Sequence, residues 1–174
     1  MQYIAKISLA FGVLRMVMVH EVRTILPEND IRGAVLETQG QIVRLHHIGY
    51  VVPSIQDAVN QFTRSIEGSW DGKIFLDPLQ GARVTFLAGK QSELPYVELV
   101  EPSGEKSPVI NFLNRGGGLH HLCYEVKSLD QQLKHSRGLG AAIVRVPLPA
   151  VAFENRRIAW VLTRERLLVE FLEI

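Results

Sequence analysis

The sequence predicts an α+β fold made of two βαβββ modules. Three observations predict it. The segment Leu45-His46-His47-Ile48-Gly49-Tyr50-Val51-Val52 matches Leu119-His120-His121-Leu122-Cys123-Tyr124-Glu125-Val126, with the second histidines 74 residues apart. A second pair, Tyr96-Val97-Glu98-Leu99-Val100-Glu101 and Leu168-Val169-Glu170-Phe171-Leu172-Glu173, matches at nearly the same separation. A unit of roughly 75 residues therefore occurs twice. Within each unit a β-rich run gives way to one helical stretch and then to further β-rich runs.

Taken in order, 43–52 is the first strand. A helix follows over 54–66, with Ser54 as N-cap and Asp57 three residues on. Ile55, Ala58, Val59 and Phe62 give that helix one apolar stripe. Strands follow at 73–76, 82–88 and 95–100. A short helix over 107–115 links the units, and Gly116-Gly117-Gly118 breaks it as a turn. The glycine run lacks the strand-then-helix context of a phosphate loop. The second unit repeats the order: a strand at 119–126, a helix over 128–137 capped by Ser128, and strands at 141–146, 156–162 and 167–172. The modules are thus 43–104 and 118–174. Residues 1–42 form an N-terminal extension outside the repeat, apolar, with a turn near Gln39-Gly40 and no structure assigned to it.

The chain has 174 residues, 47% of them hydrophobic, which suits one domain with a sizeable core. Lys plus Arg number 19 and Asp plus Glu 18, so no strong field draws nucleic acid or anionic lipid. One cysteine, Cys123, excludes an intrachain disulfide and fits a reducing compartment. The apolar run Ile7 to Leu14 follows Lys6 and is cut short by Arg15; no small-residue cleavage site follows, and the run is too short for a membrane span. Met16 and Met18 are alternative starts. The expectation is a cytoplasmic protein.

Four of the six histidines sit in the two doublets. Strand alternation puts Leu45, His47, Gly49 and Val51 on one face and His46, Ile48, Tyr50 and Val52 on the other. The same split sets His121 with Cys123, and His120 with Leu122 and Tyr124. The bulky Ile48/Tyr50/Val52 face suits packing on a helix, so His46 and His120 are expected to be packed or hydrogen-bonded. Gly49 and Cys123 beside the second histidines leave room for a ligand. Glu98 and Glu170 interrupt apolar strands, where a lone carboxylate is costly unless paired or bound to a metal. One His and one Glu per repeat supply four ligands, His47, Glu98, His121 and Glu170, to a single divalent ion. Imidazole plus carboxylate suits Zn, Fe, Ni, Co or Mn and leaves positions open for substrate oxygens. A single doublet reads more simply as an ordinary strand feature; duplication of His and Glu in register reverses that. His20 and His135 read as surface residues, and Cys123 as a small pocket wall rather than a nucleophile.

These motifs, together with Pro53-Ser54, Pro102 and Gly118, resemble the vicinal oxygen chelate (glyoxalase/bleomycin resistance/dioxygenase) superfamily over residues 43–174, most nearly its methylmalonyl-CoA epimerase-like members. The resemblance implies a curved mixed sheet with helices outside and the metal inside. It assigns the metal to the same four residues. It implies proton abstraction next to a carbonyl with enediolate stabilisation, on methylmalonyl-CoA or a similar acyl thioester. For that chemistry Glu170 is the first choice of base, because a carboxylate bound through one oxygen keeps another free to accept a proton, and Glu98 on the other side is expected to return it. The resemblance also implies a homodimer. Glu125 shares the face of His121 but sits farther along the strand and ranks lower as a base. Two departures stand out: the short turn within 160–167 replaces a longer loop, and 82–85 lacks the non-ligand carboxylate proposed as a base in some epimerases. The alternatives are another enzyme of the superfamily, a glyoxalase-type lyase or a dioxygenase, and a non-enzymatic small-molecule binding protein. A dioxygenase site is a two-His, one-carboxylate triad, which the fourth ligand argues against.

Overall fold

The computed structural model describes residues 42–90 and 95–174. The expectations for the N-terminal extension, Ile42 aside, lie outside the described residues. The first unit opens with β1 (Ile42–Val51), followed by α1 (Ile55–Ser65), β2 (Ser69–Trp70), β3 (Phe75–Asp77), β4 (Ala82–Ala88) and β5 (Tyr96–Pro102). A single turn of helix, α2 (Ile110–Leu113), leads to β6 (Gly118–Val126). Then come α3 (Leu129–Gly138), β7 (Ala142–Pro149), a 3-10 turn (Val151–Phe153), β8 (Arg157–Leu162) and β9 (Leu168–Glu173).

Both long helices start where the caps predict. Ser54 accepts from the Asp57 amide at 3.2 Å and Ser128 from the Gln131 amide at 3.4 Å. Each start gains a second acceptor: Glu101 takes the Ile55 N–H at 2.8 Å, and Glu173 takes the Leu129 N–H at 3.0 Å. The last carboxylate of each repeated Glu motif thus ties the strand to its own module's helix, at the positive end of the helix dipole.

Three expectations are corrected. The first unit carries an additional two-residue strand, β2, which fixes Ser69 and Trp70 against Ala88 and Leu87. The linking helix is regular only over Ile110–Leu113; Gly116, Gly117 and Gly118 all take positive φ (115°, 66° and 95°), which glycine adopts without strain. β7 runs on to Pro149 with register shifts on both sides of Arg145, tolerable because it is an edge strand.

The strands form one mixed sheet in the order β2-β4-β5-β1-β6-β9-β8-β7, with β3 beside β4. β1 and β6 pair antiparallel at its centre, β5 lies parallel to β1, and β9 parallel to β6. The two long helices, α1 and α3, cover one side. Ile55 and Val59 of α1 pack with Val52, Leu87 and Leu99; Leu129 and Leu133 of α3 pack with Val126, Val169 and Phe171. Alternation sends Val51, Val84, Val100, Cys123, Ile158 and Leu172 to the other, concave side. There the two ends of the sheet approach each other: Asp77 accepts from the Val151 N–H at 3.0 Å, and Arg145 donates to the Leu79 carbonyl at 2.6 Å. The curled sheet encloses a cavity of about 350 Å³.

Candidate metal centre

Glu98, His47, His121 and Glu170 stand on β5, β1, β6 and β9, four neighbouring strands. In a flat sheet the outer two strands would lie roughly 14 Å apart. Curvature and the length of the side chains bring the donors together instead. His47 Nε2 and His121 Nε2 face each other at 3.0 Å. Glu98 Oε2 lies 3.4 Å from His47 Nε2 and 3.3 Å from His121 Nε2. Glu170 Oε2 lies 3.1 Å and 3.7 Å from the same two atoms. All four sequence-predicted residues are therefore brought to one point.

The pairing of β1 with β6 explains how the rings fit. His47 stands opposite Cys123, and His121 opposite Gly49. A Cβ placed on Gly49 would lie 1.9 Å from Cε1 of His121. The small residues do make room, as the sequence suggests, but the room at Gly49 is taken by the facing imidazole rather than by a bound molecule.

Burial makes this cluster demanding. His47 is 0% exposed, His121 2%, Glu170 3% and Glu98 5%. Burial lowers the His47 imidazolium, but the charge of Glu98 and the nearness of both carboxylates outweigh it and push His47 up to about 10. Burial raises Glu98, and the His47 charge with the nearness of both imidazoles overcomes it, holding the carboxyl well below the usual range. The site thus calls for positive charge at its centre. Glu170 Oε2 is buried and, among the described residues, meets no hydrogen-bond geometry despite its 3.1 Å approach to His47. Buried polar atoms are seldom left so. The two nitrogens stand 3.0 Å apart and each carboxylate oxygen lies 3.1 to 3.7 Å from them, which suits metal bonds of about 2.0–2.2 Å, whose neighbouring ligands stand about 3.0–3.5 Å apart. The residues fit a divalent ion.

A second triad, His46, His47 and Cys123, also clusters. It shares His47, and it would need a thiolate. Burial and the charge of Glu170 raise the Cys123 thiol well above its ordinary value, so it stays protonated, in keeping with a wall residue. Glu125, on the same face as His121, is engaged by Arg44 at 2.6 Å and Arg156 at 3.5 Å.

The face assignment fails for His46 and His120. Register shifts at Leu45/His47 and at Gly49/Tyr50 insert an extra residue in β1 and in β6, His46 and His120 respectively. A bulge turns the alternation by one residue, so both rings join the concave side. His46 lies against Phe86, Tyr96 and Phe153. His120 lies against Phe112 and Trp160 and lines the cavity. Burial, then the charge on His47, pushes His46 down to about 4; burial and the charge on His121 do the same to His120. Both are neutral at pH 7.

The cavity opens over this cluster. Its walls are mostly apolar, including Val84, Val100, Val109, Ile158, Trp160 and Leu168. Asp77, Gln80 and Arg145 add polar groups that the sequence did not single out. Gln80 Oε1 accepts weakly from Arg145 at 3.4 Å, while its buried Nε2 has no partner among the described residues. The sequence analysis singled out none of Trp160, Gln80 and Phe153.

The model of the Glyoxalase/Bleomycin resistance protein/Dioxygenase superfamily matches residues 46–160. An ethylmalonyl-CoA/methylmalonyl-CoA epimerase of Cereibacter sphaeroides is 30% identical over 117 residues, 66% of this chain and 84% of that protein. The mitochondrial methylmalonyl-CoA epimerase of Mus musculus is 33% identical over 89 residues, 50% of this chain; the chain spans only about half (48%) of that relative's length. The crystal structure of methylmalonyl-CoA epimerase from Mycobacterium tuberculosis superposes with a TM-score of 0.67 at 23% identity, covering 78% of this chain and 91% of that one. That likeness bears on the fold.

Proposed function

This chain belongs to the glyoxalase/bleomycin resistance protein/dioxygenase superfamily, and from that premise we propose that it is a divalent-metal-dependent epimerase of a malonyl-type acyl thioester, such as methylmalonyl-CoA. The observation that carries this reading is Glu170 Oε2: buried, without a hydrogen bond among the described residues, and on the wall of the cavity beside two imidazoles. We assign His47, Glu98, His121 and Glu170 as the metal ligands, and residues 43–104 and 118–174 as the two modules of one domain.

A bound ion supplies Lewis-acid stabilisation of the negative charge that develops on the substrate's oxygens as the proton leaves carbon. The protein does the rest. A cavity of about 350 Å³ holds an acyl group of malonyl size and leaves the bulk of a coenzyme outside. Its apolar walls exclude water, which strengthens each electrostatic contact within. Glu170 takes the proton from the carbon between the two carbonyl groups. Glu98, on the strand at the far side of the imidazole pair, takes up a proton from solvent and delivers it to the other face, while Glu170 releases its own to solvent. Gln80 Nε2 donates to a substrate oxygen.

Charge and donor type favour no single metal among Co, Zn, Ni, Mn and Fe. A homodimer is part of the reading; sedimentation of a 19.5 kDa chain as a monomer at micromolar concentration removes it. The lone, buried cysteine agrees with a cytoplasmic setting.

The test is wash-in of solvent deuterium. The metal-loaded protein should exchange the α-hydrogen of methylmalonyl-CoA and leave propionyl-CoA, which lacks the carboxylate, unlabelled. A chelator should stop the exchange and added metal restore it. Exchange indifferent to metal, or none with any malonyl-type thioester, overturns the reading.

A further inference from the structure

The same contact occurs once in each half of the molecule. His46 Nδ1 lies 2.9 Å from His47 Nδ1, and His120 Nδ1 lies 3.0 Å from His121 Nδ1. The rings of each doublet stand edge to face, at 79° and 89°, with centroids 5.2 Å apart in both. Neighbouring residues on a regular strand cannot meet this way, because their side chains leave opposite faces. It takes the bulge at His46 in β1 and the bulge at His120 in β6 to place both members on one side. Bulges re-aim side chains and recur beside functional sites. Here two of them, at matching positions in the repeat, produce one and the same hydrogen bond.

The direction of that bond follows from valence. A neutral imidazole has one N–H and one lone pair. His47 and His121 turn their Nε2 atoms toward each other and toward both carboxylates. A neutral histidine that ligates through Nε2 carries its proton on Nδ1. The partner across a 2.9 or 3.0 Å contact must then accept at its own Nδ1 and keep its proton on Nε2.

We propose that His46 and His120 are positioning residues for the metal: each accepts the Nδ1–H of the histidine that follows it and so holds that ring in the tautomer and orientation whose Nε2 lone pair faces the ion. This rests on His47 and His121 being ligands. Metal-bound histidines ordinarily give their second N–H to a carboxylate, carbonyl or water, and loss of that acceptor weakens metal binding about 10- to 100-fold. In this chain a neutral imidazole fills that place twice. The acceptor rings are themselves clamped, His46 between Tyr96 and Phe153 at 5.5 Å each, and His120 by Phe112 at 4.8 Å and Trp160 at 6.2 Å. A rigid acceptor fixes the ligand ring more closely than water does. The competing role is packing alone, with the histidines serving as small aromatic wall residues.

The two roles separate by experiment. His46→Phe and His120→Phe keep an aromatic ring and remove the acceptor; His46→Asn and His120→Asn keep an acceptor oxygen and lose the ring. Co²⁺ is titrated into each apoprotein and followed by its visible absorption, with thermal unfolding of the metal-free form as a control on folding. The proposal expects about 10- to 100-fold weaker Co²⁺ binding for each Phe variant with apoprotein melting close to wild type, and partial recovery in the Asn variants. Wild-type affinity and spectrum in both Phe variants overturn it. His121→Ala distinguishes this failure from failure of the ligand assignment. If it loses Co²⁺ while His120→Phe does not, only the positioning role falls; if it binds Co²⁺ like wild type, the ligand assignment falls. ¹⁵N NMR of the Zn²⁺-loaded wild type needs no variant. It should place the proton of His47 and His121 on Nδ1 and that of His46 and His120 on Nε2; the reverse assignment in either doublet overturns the proposal.

Discussion

Gly49 and His121 face each other across the central β1–β6 ladder, and the space where a side chain at Gly49 would begin is occupied by the His121 imidazole. Gly49→Ala would put a Cβ 1.9 Å from Cε1 and 2.6 Å from Nε2 of that ring. The backbone at Gly49 takes no positive φ, so the effect is steric alone. The ring must swing off the metal position. The expected result is a folded protein, destabilised by about 1–3 kcal/mol, with severe loss of metal. Metal analysis beside thermal unfolding checks it. Normal occupancy in Gly49→Ala would show that His121 can be accommodated otherwise.

The two glutamates of each repeated motif should behave oppositely. Glu173 binds the Leu129 N–H and Arg157, away from the cluster. Glu173→Ala should cost about 1 kcal/mol, a fall in melting temperature of about 2–4 °C, with metal binding intact. Glu170→Ala should lose the metal. If the two variants show the same pattern of loss, strand parity has been misread.

The metal-free protein should be most stable near pH 6.5. His46 and His120 are lowered to about 4, so between pH 6.5 and 4 the unfolded chain binds protons that the folded chain refuses, and stability falls as pH drops. The depressed Glu98 adds to the loss below its ordinary 4.5. His47, raised to about 10, works the other way: its contribution is fully present below 6.5 and is lost as pH rises through 10. Urea midpoints at pH 4.5, 6.5 and 9 should trace a peak. A midpoint that climbs steadily from pH 6.5 to 9 would contradict the protonated His47.

Added metal should raise the melting temperature of the wild type, in proportion to RT ln(1 + [L]/Kd), and leave His121→Ala unmoved. A shift of equal size in both would locate the stabilising ion elsewhere.

Much of this was legible in the chain itself. Ser54 and Ser128 mark their helices because a hydroxyl at that position satisfies an orphan amide, a local effect. The in-register repetition of His47 with His121, and of Glu98 with Glu170, pointed to the four residues that the structure brings together, because alternation carries a short strand's side chains to predictable faces. What could not be read has a common cause. The bulges at His46 and His120 carry no local marker such as glycine and arise from the pairing of β1 with β6. The Asp77–Val151 and Arg145–Leu79 contacts, which close the cavity, join residues distant in sequence and exist only once the sheet has curled. Phe153 owes its place beside His47 to a 3-10 turn with no helical periodicity to reveal it.

The central claim is that Glu170 both holds the ion and moves the proton. Glu170→Gln tests it directly, since the amide still offers an oxygen to the metal but accepts no proton near pH 7. The measurement is solvent deuterium exchange at the α-carbon of methylmalonyl-CoA, with wild type and variant matched for bound Co²⁺. The account predicts a variant that carries its metal and exchanges at least about 100-fold more slowly, the span typical of a lost general base. Exchange at the wild-type rate in a fully loaded Glu170→Gln would contradict it.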